Sequence, residues 1–113
     1  MNDRRRANRI VITAVAEVNN FEDNSIQEGY VANISTTGIG VFMKQPFKIG
    51  SQVEIKMSFY TTAGIKDVGQ IKGKIKRVEP ISKVYNIGIE FEGLHPVKDR
   101  ELIAHLNAAQ KTF

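Results

Sequence analysis

Residues 52–59 read Gln-Val-Glu-Ile-Lys-Met-Ser-Phe, and this stretch decides the fold class of the chain. Polar and apolar side chains alternate along it without interruption. Successive side chains of a strand point to opposite faces, so the pattern places the apolar residues on one face and the polar residues on the other. A period of two is typical of a strand with one buried face, and the stretch therefore predicts a half-buried β-strand.

The same alternation returns in five other stretches, with turn-forming residues between them. The six predicted strands cover, in chain order, about residues 10–18, 27–35, 39–43, 52–59, 71–76 and 85–91. In the second strand we expect strict alternation, with Tyr30, Ala32 and Ile34 on one face. Pro80 has no backbone N–H to donate, so we expect it to end the fifth strand.

After Gly93 the apolar residues recur at helical spacing instead. Pro96 suits a first helical turn, and Asp99 suits the positive end of the helix dipole. We therefore predict a C-terminal helix over about residues 96–110. Its apolar stripe comprises Leu102, Ile103, Leu106 and Ala109.

Six short antiparallel strands favour a closed sheet, because closure removes exposed strand edges. The predicted fold is all-β: a six-stranded antiparallel β-barrel with one C-terminal α-helix over one of its openings. The 113 residues fit one domain, which we place at residues 10–113, after a flexible basic arm at residues 1–9.

The composition argues against an enzyme. No cysteine is present, which excludes a disulfide scaffold, thiol catalysis and thiolate metal sites. His95 and His105 have no acid and nucleophile at a recognisable spacing, and no cluster of histidines and carboxylates predicts a metal site. Residues 10–16 are too short for a signal-peptide core or a membrane span. We expect a cytoplasmic, non-enzymatic protein without a metal, a cofactor or membrane insertion.

Basic charge is concentrated at the start of the chain. The formal net charge is +4, and four of the six arginines lie in the first nine residues: Arg4, Arg5, Arg6 and Arg9. A guanidinium binds phosphate oxygens in bidentate fashion, bonds to guanine O6 and N7, and stacks on flat rings. The arm therefore suits an anionic nucleotide, although a basic tail without a function has the same composition.

A polar segment ends the second predicted strand. Residues 33–38 read Asn-Ile-Ser-Thr-Thr-Gly, and strand geometry places Asn33 and Ser35 on one face with Ile34 in the core. Two polar side chains at a strand end can bond the edge of a base. Gly38 permits a turn with positive φ and lets a ligand approach closely. The alternative interpretation is a polar outer face followed by an ordinary turn.

Together the two segments resemble the signature of the PilZ domain family. Arg5 and Arg9 match the family's two arginines separated by three residues. Asn33, Ser35 and Gly38 match its second motif, which is Asp or Asn, any residue, Ser, two residues and Gly. The resemblance spans nearly the whole chain, including a last strand that contains Gly-Ile-Glu-Phe. It implies a six-stranded barrel that binds cyclic di-GMP, a ring of two guanosines and two phosphates.

The resemblance also implies roles for these residues. Arg5 and Arg9 would engage phosphate and the Hoogsteen edge of guanine. Asn33 and Ser35 would contact the guanine–ribose portion, and Gly38 would shape the turn.

Further expectations follow from the same resemblance. Arg4 occupies the position that is thought to influence ligand stoichiometry in the family, and a long cation there favours a stacked pair of nucleotides. A bacterial receptor of this kind would act through an unidentified downstream protein in the regulation of motility or biofilm formation. We expect the arm to become ordered over the ligand and to offer that protein a new surface.

Two other functions remain open from the sequence. Small basic barrels also bind single-stranded nucleic acid on aromatic platforms, but the aromatic residues here form no spaced stacking row in the sequence. The chain could also keep the fold as an interaction module without using the ligand, because a motif does not by itself establish affinity.

Overall fold

The computed structural model describes residues 11–97 and 99–110, which form six strands and one helix. The strands are β1 (Val11–Asn20), β2 (Ile26–Ile34), β3 (Gly38–Met43), β4 (Gln52–Thr61), β5 (Gly64–Ile81) and β6 (Val84–Glu92). The helix is α1 (Arg100–Gln110).

The strands close into an antiparallel barrel with the order β1-β2-β3-β6-β5-β4. Alternate residues of every strand point inward and form one core, as Val53, Ile55, Met57 and Phe59 do in β4. The outward residues between them are exposed or half-buried. The prediction of a six-stranded antiparallel barrel with one C-terminal helix is confirmed.

Strict alternation in β2 is wrong. The pairing of β2 with β3 shifts register between Val31 and Asn33, which marks a β-bulge. Tyr30 is exposed whereas Val31 and Ile34 are both buried, so Tyr30 and Ile34 lie on opposite faces. The bulge adds one residue, and it is this extra residue that keeps Asn33 on the outer wall.

Pro80 does not end β5, which continues to Ile81. The pairing of β5 with β4 ends at Lys74, and beyond that point the described strands pair β5 with β6 alone. Pro80 pairs with Tyr85 in this two-stranded extension. A proline is tolerated there because a strand segment with a free edge has fewer ladder hydrogen bonds to lose.

Helix α1 begins later than the predicted position near residue 96. The Ile103 N–H donates to the Asp99 carbonyl over 2.9 Å, and the His95 N–H donates to Asp99 Oδ2 over 2.8 Å. Asp99 therefore caps the helix, and Pro96 lies in the preceding turn. Leu102 and Leu106 are buried in the core, and α1 packs against β2 and β5. Among the described helical residues, no segment is long and apolar enough to cross a membrane.

Candidate ligand-binding site

One row of residues crosses four neighbouring strands on the outer wall of the barrel. By strand register it passes from β2 through β3 and β6 to β5 and comprises Asn33, Gly40, Gly88 and Arg77. Neighbouring strands are about 4.8 Å apart, so the row is about 14 Å long. It has an amide at one end, a guanidinium at the other and no side chain between them.

The two central glycines, which we call the glycine floor, lie directly under polar side chains. A Cβ on Gly40 would stand 3.0 Å from Asn33 Oδ1 and 3.2 Å from Asn86 Oδ1. A Cβ on Gly88 would stand 3.0 Å from Arg77 Cζ. The two amides therefore lie over Gly40 and the guanidinium over Gly88, and any larger residue at either position would push them outward.

Asn86 contributes an acceptor that the described residues leave unused. Its Oδ1 is buried, and no residue in the described ranges donates a hydrogen bond to it. A buried acceptor without a donor costs about 1–3 kcal/mol, so such groups mark places where another molecule supplies the donor. The exposed amide of Asn33 lies beside it. The pair offers both donors and acceptors to a molecule on the glycine floor.

Ser35 reaches the same pocket from a turn. Its Oγ accepts hydrogen bonds from the N–H groups of Thr37 and Gly38, at 3.1 and 3.3 Å, and lies 2.9 Å from Thr37 Oγ1. The Ser35 N–H donates to the Gly38 carbonyl over 3.0 Å. The expectation that Asn33 and Ser35 share a strand face is wrong, because β2 ends at Ile34. The hydroxyl holds the turn, and this turn brings Ser35 beside Asn33.

The expected positive φ at Gly38 is also wrong. Gly38 is the first residue of β3, and it is not among the glycines with left-handed backbone. A Cβ at this position would collide with the backbone carbonyl of Ile89 on β6. Glycine is required there because two strands approach closely, and this close packing carries the turn against β6.

A β-bulge in β5 turns two consecutive cations to the outer wall. The pairing of β5 with β6 shifts register between Ile75 and Arg77, and as a result Lys76 and Arg77 are both exposed while Ile75 is buried. Lys76 Nζ lies 3.9 Å from Glu90 Oε1. Within the described residues no carboxylate forms an ion pair with Arg77, so its charge remains available to an anion.

These groups line a shallow pocket of about 320 Å³. Its polar lining comprises Asn33, Ser35, Thr37, Lys76, Arg77 and Glu90. The pocket joins amides, hydroxyls and cations over a flat floor, which suits a planar base that carries an anionic group. No group of acidic and histidine residues in the described ranges could hold a metal ion.

Three predicted site residues lie outside the described residues: Arg4, Arg5 and Arg9. The start of β1 is nevertheless informative. Val15 pairs with Tyr30, and four further residues carry β1 back to Val11 and β2 forward to Ile34. The first described residue therefore lies at the same end of the barrel as the Asn33 turn, on the neighbouring strand.

The model of the PilZ domain matches residues 3–108 of the chain. The chain belongs to the PilZ domain family. The resemblance found in the two sequence motifs is thereby confirmed. PilZ domains form a family that binds cyclic di-GMP, and they are binding or adaptor modules rather than enzymes. A comparison with curated protein sequences finds none that matches this PilZ domain.

Solved structures with the same fold include two other PilZ domains. The PilZ domain of YcgR from Escherichia coli, solved with c-di-GMP, has a TM-score of 0.58 at 12% identity, with 91% of each chain covered. The PilZ domain of CeSA from a cellulose-synthesizing bacterium has a TM-score of 0.58 at 19% identity, with 90% of this chain and 97% of that chain covered.

A third similar structure is the inhibitor of motility MotI/DgrA from Bacillus subtilis, with a TM-score of 0.57 at 16% identity. The match covers 91% of this chain and 49% of that one, so this PilZ domain spans about half of its length. At these identities the likeness concerns the fold alone.

The sequence analysis missed Arg77, Asn86 and the two floor glycines. Two signals were present. Gly40 and Gly88 each stand one residue from a core isoleucine, in Ile39-Gly40 and Gly88-Ile89, which places both glycines on the outer face. Residues 76–77, Lys-Arg, interrupt the alternation of β5, and an interrupted alternation is typical of a bulge. Neither signal indicates which strands will be neighbours.

Proposed function

We propose that this PilZ domain is a receptor that holds cyclic di-GMP on the glycine floor and closes its N-terminal arginines over it. One observation carries the proposal: the unused buried acceptor Asn86 Oδ1 lies beside the amide of Asn33, on a floor that ends at Arg77. Polar groups at both ends of a flat surface fit a ligand with a planar base and a phosphate.

Guanine matches the groups around the floor. Its N2 amino group is a donor, whereas O6 and N7 are acceptors. Asn86 Oδ1 and the Asn33 amide would accept from guanine N–H groups, and the Asn33 amide would also donate. Arg77 would bond O6 and N7 or a phosphate oxygen, because a planar guanidinium matches both geometries. This adds Arg77 and Asn86 to the motif residues.

Chain length allows the arm to reach the ligand. An extended chain spans about 3.3–3.6 Å per residue, so Arg9 lies within about 7 Å of Val11 and Arg5 within about 20 Å. The row from Asn33 to Arg77 is about 14 Å long. Arg9 therefore suits the near end of the floor, at β2, and Arg5 can extend to the far end, at β5.

The free energy of closure depends on several charged hydrogen bonds acting together. Ordering the backbone of residues 5–9 costs about 1–2 kcal/mol per residue, or about 5–10 kcal/mol in total. A hydrogen bond to a charged group contributes about 1.5–3 kcal/mol, so several are needed to exceed that cost. Two arginines with bidentate contacts to phosphate and guanine supply about four such bonds.

Arg4 would contact a second nucleotide stacked on the first, since it immediately precedes Arg5. The closed arm and the ligand together would form the surface that a downstream protein recognises, in the control of motility or biofilm formation. Both statements extend the receptor proposal and depend on it.

Isothermal titration calorimetry with cyclic di-GMP tests the receptor function directly. We expect Arg5→Ala and Arg9→Ala each to weaken binding by about 1.5–3 kcal/mol, the range for hydrogen bonds to charged groups. Arg100→Ala is the matched control, because Arg100 is an exposed arginine that does not line the pocket. Equal affinity of all four proteins would refute the proposal. Preferential binding of single-stranded RNA in the same titration would favour the nucleic-acid alternative.

A further inference from the structure

A second groove on the outer wall is larger than the candidate ligand-binding site. It has a volume of about 490 Å³ and lies across β1, β2 and β3. Its aromatic lining comprises Tyr30, Phe42 and Tyr60, which are 65%, 37% and 40% exposed. We call it the aromatic groove. Contiguous exposed apolar side chains of this kind mark a surface that another segment covers.

The aromatic groove adjoins the glycine floor. Phe42 and Gly40 lie on the same outward face of β3, two residues and therefore about 7 Å apart. Phe42 also pairs by register with Asn86, whose Oδ1 belongs to the floor. A segment of chain can therefore pass from one surface to the other while staying on the same side of the barrel.

The charges in the aromatic groove favour an added cation at one position. Glu28 lines the groove, and the register places it directly opposite Glu17 of β1, with both side chains exposed. Like charges in directly opposed strand positions repel each other. Lys56 pairs with Glu17 on its other side, and Lys44 lines the far part of the groove. Glu28 thus gains from a cation that approaches from the β1 side.

We propose that residues 1–10 of the same chain occupy the aromatic groove when no ligand is bound. This segment carries four arginines, which stack on aromatic faces and pair with carboxylates such as that of Glu28. It joins β1 at Val11, two residues before Thr13, which lines the groove. Ten residues reach about 33 Å, whereas the groove spans about 14 Å from β1 to β6.

Ligand binding then moves the arm from the aromatic groove to the glycine floor. The guanidiniums that stack on Tyr30 or Tyr60 cannot bind phosphate at the same time, so the two positions exclude each other. The transfer rests on the proposed function, whereas the placement of the arm in the ligand-free protein does not. In the bound state the aromatic groove is uncovered beside the closed arm.

Paramagnetic broadening locates the arm. The chain has no cysteine, so Asn2→Cys gives a single attachment point for a nitroxide at the head of the arm. Broadening is read at the amides of Glu28 and Lys44 for the aromatic groove and at those of Gly38 and Gly88 for the ligand site. Lys44 and Gly38 are about 20 Å apart along the chain of β3, which separates the two positions.

In the ligand-free protein we expect the Glu28 and Lys44 amides to be broadened, and cyclic di-GMP should move the broadening to Gly38 and Gly88. Tyr60→Ala should weaken the groove broadening. It should also tighten ligand binding roughly two- to five-fold, the equivalent of one exposed cation–π contact that no longer competes. Phe21→Ala is the control, because Phe21 is an exposed aromatic residue in the turn after β1 and should change neither quantity.

Uniform broadening, or broadening confined to Gly38 and Gly88 before ligand is added, would overturn the placement. Mixing nitroxide-labelled protein with a separate isotope-labelled sample tests the arm of a second copy, and broadening in that mixture alone would also overturn it. If the Glu28 and Lys44 amides broaden but calorimetry detects no cyclic di-GMP binding, the placement stands and the receptor function fails. The reverse pair of results would leave the receptor function and remove the placement.

Discussion

The guanidinium of Arg77 lies against the backbone of Gly88, with Cζ 3.0 Å from the position that a Cβ would take. Two neighbouring strands determine this contact: a bulge in β5 turns Arg77 outward, and the register of β6 places a glycine beneath it. The contact positions a cation over the far end of the glycine floor, within reach of a ligand held at Asn33.

Gly40→Ala should separate binding from stability. The new methyl would press on the Asn33 and Asn86 amides, whose atoms stand 3.0–3.2 Å from it, and those side chains can shift. We expect affinity for cyclic di-GMP to fall by about 1–3 kcal/mol, because hydrogen bonds to guanine are displaced. The melting temperature should hold or rise, since glycine in a strand costs conformational entropy. Unchanged affinity in calorimetry would show that the floor is not the binding surface.

Gly38→Ala should behave in the opposite way. Its methyl would collide with the Ile89 carbonyl, which belongs to the backbone of β6 and cannot move aside as a side chain can. We expect the free energy of unfolding to drop by about 1–3 kcal/mol, as for overpacked sites. Urea unfolding followed by circular dichroism measures this. A variant as stable as the parent would contradict the close-approach explanation.

Ser35→Ala removes the hydroxyl that accepts from the Thr37 and Gly38 N–H groups. Each intramolecular hydrogen bond contributes about 0.5–1.5 kcal/mol, so we expect a loss of about 1–2 kcal/mol in unfolding free energy. Hydrogen exchange at the Thr37 and Gly38 amides should accelerate, whereas exchange in β4 should change only with global stability. Unaltered protection of those two amides would mean that the backbone holds the turn without the hydroxyl.

Arg77→Gln and Lys76→Gln form a matched pair of adjacent substitutions. Lys76 is partly neutralised by Glu90 at 3.9 Å, whereas Arg77 lies over the floor. We expect the Arg77 change to weaken cyclic di-GMP binding by about 1.5–3 kcal/mol and the Lys76 change by less than about 1 kcal/mol. Calorimetry at two salt concentrations measures both. A larger effect of Lys76 than of Arg77 would reverse the assigned roles.

Most of the barrel could be predicted because alternation is a local property of the chain. The pattern at residues 52–59 recurs wherever one strand face is buried, and the core of β4 follows it residue by residue. The errors occur where the backbone departs from a regular strand: the bulge before Asn33, the extension through Pro80 and the later start of α1 at Arg100. A bulge or an extension depends on the neighbouring strand, which a local pattern does not contain.

The sequence by itself determined the strand pattern, the basic arm and the motif of Asn33, Ser35 and Gly38, because each is a matter of residue type and short spacing. Only the tertiary structure brought Arg77 and Asn86 to the same pocket, since β6 lies between β3 and β5 in the closed sheet. Residues more than forty positions from Asn33 become its neighbours through strand order and register. Those are set by the packing of the whole core rather than by any one segment.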